Sequence, residues 1–191
     1  MKIFGSRKYK IDDIQYMHSY EEFPQVAELA FDSIKEKYSL KFKEDGIYSV
    51  DFSNKYCRLN FNMDRYDLQG LLFKKGDSTS FSISRLATYF NDAEYSKEDI
   101  PSIGYGNKVG VKDSLFFYSK ILDKYLNHVL KGDFTWYEKI KQEDEYESKL
   151  IAVILSDKME YEHPISKKFW SGDSSWKSDI EKYIKEKQIE I

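Results

Sequence analysis

From Tyr48 to Met63 the chain alternates between apolar and polar residues. Tyr48, Val50 and Phe52 fall on one side, and Ser49, Asp51 and Ser53 on the other. After Ser53-Asn54-Lys55 the alternation resumes, with Cys57, Leu59, Phe61 and Met63 opposing Tyr56, Arg58, Asn60 and Asn62. Successive side chains of a strand point to opposite faces, so two such runs in tandem predict an antiparallel pair with one covered face. Asn54 suits the turn because Asn tolerates left-handed backbone. A third strand is expected over 67–74, followed by a Lys74-Lys75-Gly76-Asp77 turn and a short fourth strand over 80–83.

Elsewhere the period lengthens. Val26, Leu29, Ala30 and Ile34 recur at helical spacing and predict one helix over 21–38. Ser19 and Glu22 resemble its capping box, and Pro24 suits its first turn. Residues 84–90 suit a short helix, and 91–113, with Pro101, Gly104, Gly106 and Gly110, a long loop. The clearest helix spans 114–131, with Leu115, Tyr118, Leu122, Tyr125, Leu126 and Val129 on one side. Asp113 is its expected N-cap and Gly132 its stop. Asp133 is placed to cap a following helix in which Trp136, Tyr137 and Ile140 face inward. KLIAVIL, residues 149–155, fits a helix or a buried strand by periodicity, and its flanks favour helix. A last helix is predicted over 174–187, burying Trp176, Ile180, Tyr183 and Ile184 and pairing Glu181 with Lys185 on its surface. A meander with one apolar face needs helices to cover it. The pattern therefore predicts a single α+β domain over 1–191, a small antiparallel β-meander with helices packed on one face.

Composition supports a folded domain. The 191 residues are 41% hydrophobic and include 16 Tyr, 13 Phe and 3 Trp, whereas disordered chains are poor in aromatics. The net charge is −3, and the only arginines are Arg7, Arg58, Arg65 and Arg85. Nucleic-acid binding draws on clustered positive charge and on Arg forks, so this balance argues against it. Cys57 is the only cysteine, which precludes an intrachain disulfide, and its place in the alternation marks it as a small core residue. No apolar run approaches the ~20 residues of a membrane span. The start, MKIFGSRKYKIDD, lacks a secretory apolar stretch, so the expected location is a reducing cytoplasm.

Candidate chemistry is sparse. His18, His128 and His163 share no i, i+4 spacing, and no Cys-x-x-Cys exists, so no metal site is expected. No serine lies in a Gly-x-Ser-x-Gly elbow. Residues 104–110, GYGNKVG, depart from G-x-G-x-x-G and have no Ser or Thr after the lysine, so they read as a loop and no cofactor is expected. Asp64, Arg65, Tyr66 and Asp67 stand together at the end of a strand. Arg65 would hold a neighbouring carboxyl in its charged form, the wrong direction for a general acid. The segment reads as a polar hairpin tip whose Arg and Tyr are typical interface anchors. Glu143, Asp144, Glu145 and Glu147 form the densest acidic run, suited to a solvated helix or to steering a basic partner. These eight residues are the candidate partner-binding positions.

The segments YSVDFSNKYCRLNFNMDRYDLQGLLF (48–73) and LDKYLNHVLKGDF (122–134) resemble small bacterial proteins of the toxin-immunity type, antidotes encoded beside polymorphic or contact-dependent toxins. The strand–turn–strand with its Asp-Arg turn and the helix ending in Lys131-Gly132-Asp133-Phe134 carry the resemblance, over about 85 of the 191 residues. It implies a stoichiometric protein-binding module without catalytic residues that binds and blocks a toxin, and a slightly acidic surface rich in Tyr, with Glu and Asp clusters, suits a basic toxin domain such as a nuclease. The alternative is a small-ligand binder or enzyme with a site between sheet and helices and the 101–110 loop as a lid. The first predicts an exposed acidic or aromatic patch, the second convergent titratable groups in a cleft.

Overall fold

We describe residues 22–64, 67–99, 101, 108–156, 159 and 162–191 of a computed structural model. The chain divides into two compact units, 1–134 and 135–191.

The first unit holds the sheet. Strands β1 (Lys41–Glu44), β2 (Ser49–Ser53), β3 (Cys57–Asp64), β4 (Asp67–Lys74) and β5 (Ser80–Ser82) pair antiparallel in chain order. Register sets Val50 opposite Phe61, Phe52 opposite Leu59, Leu59 opposite Leu72, and Leu72 opposite Phe81. These residues form one face, and all are at most 2% exposed. Each buried large apolar side chain contributes roughly 1.5–3 kcal/mol.

Helices cover that face, as the alternation predicted. The Phe31 ring stacks on Phe52 of β2 at 4.6 Å and meets Phe61 of β3 at 4.7 Å. Tyr118, on the helix Lys108–Tyr125, approaches Phe61 at 5.5 Å and donates its hydroxyl to the Leu68 carbonyl of β4. Gly70 sits opposite Phe61, where a Cβ would lie 2.9 Å from the Phe61 ring and 3.0 Å from the Tyr118 ring. The polar face is only partly open. Asp51 and Asn60 are 7% and 8% exposed, and Asn60 donates to the Asp51 carboxylate at 2.9 Å and to Ser49 Oγ at 3.1 Å. Tyr48, expected on the covered side, is 44% exposed because it precedes the first paired residue of β2.

Several boundaries differ from expectation. Strand β1 carries no alternation, with only Phe42 half-buried among Lys41, Lys43 and Glu44. It is a lysine-bearing edge strand, the kind that resists pairing with other chains. The expected helix over 21–38 is two, α1 (Phe23–Ala30) and α2 (Asp32–Lys37), with Pro24 in the first turn. The expected helix over 114–131 is also two. Helix α4 (Lys108–Tyr125) starts earlier and contains Asp113, which is not its N-cap, and α5 (Asn127–Leu130) follows. Both breaks fall at fully buried residues with non-helical backbone, Phe31 (φ −101°) and Leu126 (φ −116°). Packing of these side chains outweighs continuation of the helix. Gly132 (φ +101°) stops the segment as expected. Helix α3 (Ile83–Tyr95) is longer than the predicted 84–90 and takes in the first part of the expected loop. It kinks at Asn91 and is anchored by buried Tyr95 against Phe117 and Tyr125.

The second unit is helical. Helix α6 (Tyr137–Leu155) includes residues 149–155, deciding that segment for helix. Its N-cap is Trp136 rather than Asp133, and Trp136, Tyr137 and Ile140 are buried as expected. Helix α7 (Pro164–Ser171) follows a His163 N-cap whose Nδ1 accepts from Ile165 N. Helix α8 is Trp176–Lys187. Leu150, Val153, Ile154, Met159, Ile165, Trp176, Ile180 and Ile184 form its core, with Phe169 edge-on to Trp176 at 5.2 Å. Glu181 accepts from Tyr146 instead of pairing with Lys185. No described helix is long and apolar enough to cross a membrane.

Candidate functional site

The predicted partner-binding residues fall into both units. Asp64 and Asp67 face each other as the closing pair of the β3–β4 hairpin, so the segment links two strands as expected. Arg65 and Tyr66 lie outside the described residues. Glu143, Asp144, Glu145 and Glu147 all stand on α6. Glu143 and Glu145 are exposed; Asp144 and Glu147 are half-buried, and Glu147 pairs with Lys177 at 2.8 Å. Tyr146, 44% exposed, stands among them. From 141 to 149 no α6 residue is buried, although both ends of the helix are. The second unit is also where the negative charge resides: residues 135–191 hold 10 basic and 13 acidic groups, whereas 1–134 hold 20 of each.

Within the first unit the structure brings together a set of residues that the sequence did not single out. Five lysines, Lys37, Lys41, Lys55, Lys75 and Lys131, line an open cleft of about 830 Å³ together with Tyr38, Ser39, Ser53, Asn54, Tyr56 and Leu130. The meander explains the convergence. Lys41 is paired with Ser53, and Cys57 with Lys74, so the start of β1, the β2–β3 turn and the β4–β5 turn share one end of the sheet. Asn54 closes the arrangement. Its amide nitrogen donates to the carbonyls of Tyr38 (3.2 Å) and Leu130 (3.0 Å), satisfying the C-terminal ends of α2 and α5. Its oxygen accepts from the backbone N–H groups of Tyr56 (2.8 Å) and Cys57 (3.0 Å). Asn54 thus holds the turn by side-chain bonding; its φ is not positive, contrary to the left-handed expectation. The Gly132 backbone presses on the Tyr56 ring, where a Cβ would come within 2.7 Å. Ser39 occupies the left-handed region (φ +54°), a position that usually takes glycine.

The cleft is electrostatically one-sided. All five lysines are exposed, and among the described residues no carboxylate or histidine lines it. Among the described residues only Lys37 of the five has an ion pair, with Asp123 at 2.7 Å. Asp123 also accepts the Tyr38 hydroxyl, and the Lys37 and Tyr38 hydrogen bonds hold its carboxyl below the usual range. Burial, reinforced by the bond to Asp123, raises the Tyr38 phenol. Walls that carry mostly one charge sign concentrate ions of the opposite sign, here anions.

Other titratable groups have structural roles. Cys57 is fully buried beside Asn54, and burial pushes its thiol up to about 12, so it stays protonated. Glu98 receives Lys120, Lys124 and Tyr125, which hold its carboxyl down at about 2 and tie the end of α3 to α4. His128 packs edge-on to Phe90 at 4.6 Å. No three His, Cys, Asp or Glu side chains among the described residues form a metal-sized cluster.

The lysines of the cleft lie from 37 to 131 in sequence, each beside a turn or helix end, so no local motif marks them. Their signal is the register of the meander, which predicts that residues near 41, 54 and 75 meet. No family model, characterised protein or solved structure matches this chain.

Proposed function

We propose that the chain is a non-enzymatic protein-binding module that recognises a basic partner, and that this partner is a bacterial toxin domain which the module neutralises. The observation that carries the reading is the middle of α6. A helix anchored by buried residues at both ends carries an acidic stretch in which no residue is fully buried, with Glu143 and Glu145 exposed, Asp144 and Glu147 half-buried and Tyr146 standing between acidic neighbours. A helix segment that is polar all round and held at its ends is suited to meeting something outside its own core. Complementary charge steers such an encounter, and a Tyr supplies contact area at low entropic cost. The resemblance of 48–73 and 122–134 to toxin-immunity proteins supports the choice of partner.

Co-purification with the product of the gene immediately upstream tests the reading. Retention at micromolar concentration, lost in a Glu143→Lys/Glu145→Lys variant, is the expected result. Failure to retain that product, or retention that ignores the charge reversal, sinks it.

A further inference from the structure

We propose that the lysine cleft of the first unit binds a free, compact organic polyphosphate, a small molecule carrying two or more phosphate groups. Four observations converge on that ligand class. Among the described residues the lining holds five ammonium groups and no carboxylate, in a unit whose basic and acidic residues are equal in number, so positive charge is concentrated there. Four of those lysines, Lys41, Lys55, Lys75 and Lys131, have no ion pair among the described residues. The volume of about 830 Å³ lies in the range of small-molecule sites and exceeds the need of a single inorganic anion. The walls are built before any ligand arrives: Asn54 fastens two helix ends to the β2–β3 turn, and the Ser39 backbone sits in the left-handed region, which a serine rarely adopts.

The same residues decide between ligand classes. None of the cleft's described cations is an arginine, so recognition there rests on lysine point charges, which bind phosphate by charge rather than through the planar fork that arginine offers to carboxylate and phosphate alike. The two aromatic rings are already engaged. Tyr38 is tied through its hydroxyl to Asp123, and Tyr56 carries Lys55 Nζ at 4.6 Å from its ring centre and the Gly132 backbone against its edge. The stacking platform that single-stranded nucleic acid uses is therefore not on offer. The inference is independent of the α6 partner surface and concerns a different unit.

Isothermal titration with myo-inositol hexakisphosphate and with inorganic tripolyphosphate tests it on the full chain. One saturable site is expected, weakening as salt rises because bound phosphates displace counterions. Lys55→Gln/Lys131→Gln should weaken binding about tenfold or more, whereas Lys185→Gln/Lys187→Gln on α8, with the same charge change, should leave it within about twofold. Thermal melts of both variants confirm folding, since all four lysines are exposed. No saturable binding at about 1 mM ligand overturns the proposal. So does equal weakening by both variants, tighter binding of a poly-glutamate peptide or an oligonucleotide, or binding to phosphoinositide-containing vesicles without binding to the free anion.

Discussion

The two units solve the problem of burying apolar surface in different ways. The first spreads its core over a sheet, and aromatic rings from helix and strand meet on one face: Phe31, Phe52, Phe61 and Tyr118 form a continuous set of ring contacts. The second gathers eight buried residues between three helices and adds surface ion pairs, Lys168 with Asp179 and Lys177 with Glu147. The difference extends to where charge is displayed. A sheet has ends, and its turns bring distant residues into a concave cluster, here cationic. A helix displays what its own sequence spells, here acidic and convex. Concave sites therefore have to be read from topology, whereas helical surfaces can be read from local sequence.

The sharpest way to break this comparison is Phe61→Ala. Phe61 is fully buried at the crossing of the ring contacts, so its loss should cost about 3–5 kcal/mol in urea denaturation. A cost under about 1 kcal/mol would mean that the ring set is not the centre of the first unit. Next is Gly132→Ala, which places a Cβ against the Tyr56 ring and forces a left-handed residue. Overpacking and backbone strain together predict about 2–4 kcal/mol and a displaced Tyr56, visible in the near-ultraviolet spectrum. An unchanged spectrum would mean that the ring yields without consequence.

The pH responses of the units should differ in sign. Glu98 in the first unit titrates lower folded than unfolded, so its contribution is present above the ordinary carboxyl range and is lost as pH falls towards 2. Lys168 in the second unit is raised by its bond to Asp179, so its contribution is present below the ordinary lysine range and is lost as pH rises through the folded value. Residue-resolved hydrogen exchange should show Glu98→Gln flattening the acid dependence of α4 protection, and Lys168→Met flattening the alkaline dependence of α8. Identical pH profiles in both units would erase the distinction. The smallest effect belongs to Glu145→Gln, which should change stability by no more than about 0.5 kcal/mol because its side chain is exposed. A larger loss would convert the acidic stretch from a display surface into a structural one.

What could be read from the sequence follows the same division. Strands β2, β3 and β4 were legible because Val50, Phe52, Leu59, Phe61 and Leu72 need one face and their neighbours the other. Strand β1 was not, since an edge strand with one half-buried residue writes no alternation. The helical stripes were legible, but the breaks at Phe31 and Leu126 were not, because each depends on a side chain packed in a way that only the fold determines. The acidic residues 143–147 were visible as a run and stand on one helix. The lysine cleft was invisible until the strand register was known. The burial of Asp51 and Asn60 was hidden likewise, because the two positions become partners only across β2 and β3.

Asn54 has a consequence for the ageing of the molecule. All four hydrogen-bonding positions of its side-chain amide are in use, two as donor and two as acceptor. Hydrolysis of that amide to a carboxylate would leave the acceptor bonds intact but turn both donor bonds into confrontations between oxygen atoms, at Tyr38 and Leu130. One ammonia molecule lost over time would thus release two helix ends from the turn, with no change in chain length and an increase of only one negative charge.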